Sequence, residues 1–139
     1  EILMRITGGC HCENILYEAE ADEKGVGICH CTDCQKLSAA AYRIVIPANE
    51  KNFILLRNKP KIYIKKSNNG NPRIQAFCAK CGSHIYATST EETDNRTFNI
   101  RLGTVDNNRG LIPQKQIWCR SAQSWTFNLN NIPKIEKQT

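Results

Sequence analysis

The spacing of the eight cysteines constrains this chain more than any other feature of its sequence. Seven of them fall into three short clusters, C-x-C at 10–12, C-x-C-x-x-C at 29–34 and C-x-x-C at 78–81, while Cys119 stands apart. Cysteines one residue apart on an extended strand point to opposite faces, whereas C-x-C and C-x-x-C turns let thiolates converge on a metal ion. The spacing therefore favours zinc sites over the disulfide framework of a secreted domain.

The seven clustered cysteines divide into a group of four and a group of three. The group of four has enough thiolates for a closed, structural zinc site: Cys10, Cys12, Cys78 and Cys81. A zinc ion bound by these four cysteines would tie the N-terminal strands to the middle of the chain, which suits a structural role. The group of three would hold a second zinc ion with one coordination position open: Cys29, Cys31 and Cys34. An open fourth position is typical of catalytic zinc.

An open zinc site indicates thiol chemistry. Zinc deprotonates an incoming thiol and so turns a weak nucleophile into a thiolate near neutral pH. We therefore predict that Cys29, Cys31 and Cys34 are catalytic as well as metal-binding, and that the chain carries two zinc ions.

The remaining sequence predicts a single, mainly β domain. With 139 residues, 40 % of them hydrophobic and 23 % charged, the chain can bury a core, and disorder or a coiled coil is excluded. Short β-branched or alternating segments predict eight to eleven strands, among them 15–20, 42–46, 61–65, 84–87 and 97–102. Only segment 32–37 looks helical, with one or two turns after a Thr or Asp cap.

The net charge of +6 is distributed unevenly. Residues 51–80 carry eight basic side chains and no acid, so this basic segment could attract nucleic acid, an acidic protein or an anionic small molecule. The segment lacks interleaved stacking aromatics and any recognised nucleic-acid motif. A solvated basic face is therefore favoured over nucleic-acid binding.

The cysteine strings carry a family resemblance. The sequence resembles the glutathione-dependent formaldehyde-activating enzyme family, also called the CENP-V/GFA domain, in segments 8–12, 29–36, 77–83, 102–106 and 117–121 and at Trp125. The likeness covers roughly residues 5–127. We therefore predict a CENP-V/GFA-type zinc domain over 5–127 and a C-terminal tail over 128–139.

This resemblance implies a fold, a cofactor and an activity. The implied fold is a zinc-stapled β-tent of short antiparallel strands with two zinc ions. The implied activity resembles that of S-(hydroxymethyl)glutathione synthase, a carbon–sulfur lyase that adds glutathione to formaldehyde. Many members read Thr or Ser followed by Gly after the catalytic cysteines, whereas here Ser38 is followed by Ala39. A Cβ at this position would leave less room for a substrate to lie against the backbone.

The three histidines are predicted to lie outside the metal sites. His11 and His30 are the middle residues of C-x-C sequences, where the side chain points away from the metal, so contact with solvent or with a ligand's neighbours is favoured. His84, three residues after Cys81, is a candidate proton carrier, but a strand histidine with a satisfied hydrogen bond is the favoured interpretation.

Other candidates have a structural interpretation beside a functional one. Asp33 could orient a ligand or cap a helix. Cys119 is predicted to be a buried core thiol rather than a fourth ligand, and core packing is favoured over a pocket-lining role for Trp118 and Trp125. The remaining candidates could pair with a substrate carboxylate: Arg43 and Arg101.

Two functions from different classes follow. The first is a zinc-dependent carbon–sulfur lyase that adds a small thiol such as glutathione to an aldehyde. The second is a non-catalytic module with two zinc ions, whose basic segment binds an acidic protein or nucleic acid. The first residues show no secretory signal and no apolar run is long enough for a bilayer, so we expect a cytoplasmic protein without a membrane partner.

Overall fold

The computed structural model describes residues 2–67, 70–93 and 95–138, and this part of the chain forms nine strands and one α-helix. The helix, α1, spans Thr32–Ser38. The strands are β1 (Met4–Gly9), β2 (Leu16–Ala21), β3 (Gly27–Cys29), β4 (Arg43–Arg57), β5 (Lys61–Lys66), β6 (Pro72–Phe77), β7 (His84–Ser89), β8 (Thr97–Arg101) and β9 (Lys115–Ile117). The mainly β, single-domain prediction is confirmed. The predicted boundary between domain and tail stays a prediction.

The strands form one sheet in the order β1-β2-β4-β8-β7-β6-β5. Neighbours are antiparallel, and β3 pairs antiparallel with β4 and parallel with β9. The predicted short strand 42–46 is the beginning of the fifteen-residue β4. This strand extends beyond its apolar start because it pairs with three partners in turn: β3, β8 and β2. Within the described residues, no helix is long and apolar enough to cross a bilayer.

The sheet has an apolar face and a polar face. Alternation in β8 places Phe98 and Ile100 in the apolar core and Arg101 on the opposite side. Phe98 stacks on Tyr86 with ring centroids 4.1 Å apart. Gln75 in β6 lies on the same side as Arg101, and both are buried. The polar face is therefore buried as well. Helix α1 and the cysteines at 29–34 adjoin this face.

Helix α1 begins and ends on residues that the sequence did not single out as caps. Cys31 is the N-cap, and its Sγ accepts a hydrogen bond from the Cys34 amide at 3.3 Å. The predicted Thr or Asp cap is therefore wrong: Asp33 lies inside the first turn and binds Lys65 instead, with a carboxylate–ammonium distance of 2.7 Å. At the other end, Ala39 adopts the left-handed conformation (φ 51°, ψ 42°).

The conformation of Ala39 predicts a stabilising substitution. A residue with a Cβ in the left-handed conformation destabilises the folded state by roughly 1–2 kcal/mol, whereas glycine adopts this conformation freely. Glycine also has more conformational freedom in the unfolded chain, which offsets part of the gain in stability. We expect Ala39→Gly to raise the free energy of unfolding by about 0.5–1 kcal/mol, measured by urea denaturation. Ala40→Gly is the matched control, since Ala40 has no positive φ, and it should lower stability. A loss of stability in Ala39→Gly would contradict the explanation.

Candidate metal centres

The four-cysteine cluster joins two distant parts of the sheet: Cys10, Cys12, Cys78 and Cys81. The first two lie in the turn between β1 and β2, and the other two in the turn between β6 and β7. Their sulfur atoms all lie within 4.8 Å of one another, with Sγ–Sγ distances of 3.7 Å for the first pair and 3.8 Å between Cys12 and Cys78. Tetrahedral zinc with Zn–S bonds of about 2.3 Å requires sulfurs about 3.8 Å apart. The donor set therefore fits zinc.

Backbone amides donate hydrogen bonds to two of these sulfurs, and those of Cys81 and Lys80 lower the pKa of Cys78. The amide of Ile15 donates to the Sγ of Cys10 at 3.2 Å, and that of Cys81 donates to the Sγ of Cys78 at 3.5 Å. Gly82 closes the second turn: its amide donates to the Cys78 carbonyl at 2.8 Å, and its φ of 82° is a conformation that glycine adopts without strain. The C-x-x-C-G sequence is thus a preformed turn for metal ligands.

The three-cysteine cluster is built where β3 passes into α1: Cys29, Cys31 and Cys34. The three sulfurs lie within 4.8 Å of one another, and two of them belong to buried residues, Cys29 and Cys34. A hydrogen bond from the Cys34 thiol lowers the pKa of Cys29 to about 5, with Arg43 contributing, and the same contact raises the pKa of Cys34. The cluster therefore holds a thiolate at neutral pH and is suited to a cation.

The histidines lie outside both clusters. His30 is fully buried; its Nε2 lies 2.7 Å from the Oε1 of Gln116 and its ring packs against Tyr42. His11 is exposed, and its backbone amide donates to the hydroxyl of Ser83. His84 begins β7, as a strand histidine was predicted to, and among the residues described no protein group hydrogen-bonds its ring. Burial, with Arg101 and Arg43, lowers the pKa of His84.

A cavity of about 750 Å³ opens beside the three-cysteine cluster. We call it the thiol cavity; its wall includes Cys29, Cys31, Cys34, Arg43, Lys65, Arg73 and Trp118. Lys65 and Arg73 face each other in the register of β5 and β6. The sequence placed both in the basic segment without assigning them to a site, because only the sheet register brings them to the cysteines. The four-cysteine cluster contributes no residue to this wall.

The predicted roles of three residues near the C-terminus are corrected. Cys119 is exposed, and the side chains of Trp118 and Trp125 keep 55 % and 50 % of their surface accessible. None of them packs in the core, because β9 is a three-residue strand and the chain then continues in short 3-10 turns over 119–121 and 124–127. Trp118 instead takes the alternative role and lines the thiol cavity.

Arginine side chains on the polar face lack carboxylate partners. Arg101 is 7 % exposed, and its Nη2 donates to the Oε1 of Gln75 at 2.8 Å. Burial, together with Arg43, lowers the pKa of Arg101 to about 9, so the guanidinium stays charged at pH 7. Among the described residues, no carboxylate pairs with Arg43, Arg73 or Arg101. A buried charge without a counter-ion costs several kcal/mol, so this face favours an anion.

Three features define a cysteine-rich, metal-binding β-protein: a buried polar face, a closed group of four thiols, and an open group of three thiols beside a cationic cavity. The sequence matches the model of the glutathione-dependent formaldehyde-activating enzyme over residues 5–121. The chain belongs to this family, whose known members bind zinc and are enzymes. The resemblance carried by the cysteine strings is thereby confirmed.

The fold is similar to that of a Rhodobacter sphaeroides protein whose crystal structure was solved as a Northeast Structural Genomics target. The TM-score is 0.59 at 17 % sequence identity, and the match covers 79 % of this chain and 98 % of that chain. At this identity the likeness concerns the fold alone. No curated protein matches the chain.

Proposed function

We propose that this chain is a zinc-dependent carbon–sulfur lyase that adds a small thiol to an aldehyde in the thiol cavity. One observation carries the proposal: the three-cysteine cluster opens on a cationic cavity, whereas the four-cysteine cluster does not. We assign a structural zinc ion to Cys10, Cys12, Cys78 and Cys81, and a catalytic zinc ion to Cys29, Cys31 and Cys34. Family membership supports both zinc and the glutathione–formaldehyde pair.

Each part of the cavity has a role in the reaction. A zinc ion supplies Lewis-acid chemistry there, because it lowers the pKa of a thiol enough for the thiolate to react near neutral pH. Arg43, Arg73 and Lys65 bind the carboxylates of an anionic thiol such as glutathione and orient it. Trp118 adds an apolar surface to the wall of the cavity.

The reaction needs one proton transfer within the cavity. As the thiolate sulfur bonds to the carbonyl carbon, the carbonyl π electrons move to oxygen, and the resulting alkoxide takes up a proton. The Lys65 ammonium, held by Asp33, lines the cavity and is placed to supply this proton. Ser38 is a weaker candidate, because its hydroxyl donates to the Cys34 carbonyl at 2.6 Å and it lies outside this cavity.

The reaction is tested by following the exchange between formaldehyde and its glutathione adduct by NMR. We expect the zinc-loaded protein to accelerate this exchange and the acceleration to fall with added salt, because the cavity attracts an anion. Cys34→Ser should abolish the acceleration, whereas Cys119→Ser, which alters an exposed cysteine outside both clusters, should retain it. No acceleration with glutathione or a panel of other thiols would refute the lyase.

The second candidate is the non-catalytic module with two zinc ions. Its specific support is β5, which ends the sheet and exposes Lys61 and Tyr63 within the basic segment. An acidic protein or nucleic acid would bind along this edge. We favour the lyase because Arg43, Lys65 and Arg73 line one cavity together with the three-cysteine cluster. Either function requires reduced cysteines, so we place the protein in a reducing compartment, the cytoplasm.

A further inference from the structure

A second cavity, of about 460 Å³, lies next to the thiol cavity. We call it the arginine cavity; its wall includes Arg43, Arg101, His84, Ser38, Ala39 and Gly103. Arg43 lines both cavities and so stands between them. No cysteine lines the arginine cavity, and the reaction proposed above uses Arg43 of its wall but not Arg101.

The arginine cavity carries positive charge that nothing in its wall neutralises. Both arginines have a buried Nε–H without a hydrogen-bond partner. Among the residues described, the wall contains no Asp or Glu. Two acids, Asp33 and Glu91, line the neighbouring thiol cavity, and Asp33 is paired with Lys65. Burial, together with these two arginines, lowers the pKa of His84 in the same wall.

The cysteine cluster does not balance this charge. Three thiolates around one divalent zinc ion leave one negative charge, whereas Arg43, Arg73 and Arg101 together carry three positive charges. With Glu91 of the thiol cavity counted as well, one positive charge remains on a largely buried face. Guanidinium groups are suited to carboxylate and phosphate oxygens, which accept paired N–H donors.

We propose that the arginine cavity is an oxyanion-binding site, in which Arg101 and Arg43 bind the carboxylate or phosphate group of a small molecule. The site is separate from the sulfur atoms, so binding there does not depend on the proposed lyase activity. A Cβ built on Gly103 would meet no atom within 4 Å, so the cavity has open space beside Gly103 and Ser38. The rest of the ligand fits in this space.

The experiment is an NMR titration of zinc-loaded, ¹⁵N-labelled protein that follows the arginine Nε–H signals. The probes are acetate and methyl phosphate, and acetamide serves as the neutral control for acetate. We expect saturable shifts of the Arg101 and Arg43 signals with at least one oxyanion and none with acetamide. A tighter fit for acetate identifies a carboxylate ligand, and a tighter fit for methyl phosphate identifies a phosphate ligand; either result supports the site.

Variants separate this site from the thiol cavity. Arg101→Gln should weaken binding at least tenfold, about 1.4 kcal/mol. Arg73→Gln is the matched control: it removes a cation that lines only the thiol cavity, and it should change the affinity less than Arg101→Gln does. If Arg101→Gln fails to fold, Arg101→Lys and Arg43→Gln replace it. We expect Arg101→Lys to lose less binding affinity, because lysine keeps the positive charge.

Three results would overturn the inference. The first is the absence of saturable shifts at Arg101 with both oxyanions. The second is an equal response to acetamide, and the third is binding that Arg73→Gln removes but Arg101→Gln does not. The exchange assay with formaldehyde and glutathione is run on the same samples, so a failed lyase and an absent oxyanion site are distinguished.

Discussion

Cys78→Ala is expected to leave the chain largely unfolded. Structural zinc binding is itself folding free energy, on the order of 10 kcal/mol in zinc-finger peptides, which matches or exceeds the stability of most small domains. Cys78 is fully buried, and its sulfur contacts that of Cys12 across the sheet. Removing it separates the β1–β2 turn from the β6–β7 turn. Far-ultraviolet circular dichroism and urea denaturation of the purified variant measure the effect.

The matched control for Cys78→Ala is Cys119→Ala. Cys119 is exposed and belongs to neither cluster, so its replacement should change the free energy of unfolding by less than about 0.5 kcal/mol. A Cys78→Ala protein that keeps a cooperative transition at the position of the parent protein would show that the four-cysteine cluster is not the structural site.

Cys31→Ala is expected to give the opposite result: a folded chain that has lost one metal ion and its activity. Cys31 is only partly buried and caps α1, so the loss of stability should be about 1 kcal/mol, the usual effect of removing a helix cap. Losing several kcal/mol of Lewis-acid stabilisation should slow the catalysed exchange on the order of a thousandfold. Metal analysis, circular dichroism and the NMR exchange assay measure the three quantities.

The two clusters should also differ in how readily they lose metal. The four-cysteine cluster is closed, whereas the three-cysteine cluster borders an open cavity, so a mild chelator should remove one zinc ion and leave the fold intact. Equal destabilisation by Cys31→Ala and Cys78→Ala would show that both sites are structural. Exchange activity that survives Cys31→Ala would separate catalysis from the three-cysteine cluster.

Short-range patterns made much of this protein predictable from its sequence. The C-x-C and C-x-x-C spacings act within single turns, so the division into four and three cysteines emerges in space as it was inferred. Period-two hydrophobicity in segment 97–102 reports the buried face of β8, which ends at Arg101. Segment 61–65 also lies in a strand, β5, but its isoleucines Ile62 and Ile64 are exposed.

The wrong predictions concern residues whose environment depends on distant partners. Asp33 resembled a helix cap, but Lys65, thirty-two positions later, draws it into an ion pair. Cys119, Trp118 and Trp125 resembled core residues by composition, yet the chain leaves the sheet after β9 and no element covers them among the residues described. Composition indicates that a side chain is apolar; it does not indicate whether another element packs on it.

The sequence by itself indicated metal-binding chemistry, the mainly β class and the family, since each rests on patterns within short segments of the chain. Only the tertiary structure decided the electrostatics of the site. Arg43, Arg73 and Arg101 lie in three different strands, and sheet register brings them to one face. Register is a long-range property set by the packing of the apolar face, so no local pattern could have shown that these arginines share two cavities and lack carboxylate partners.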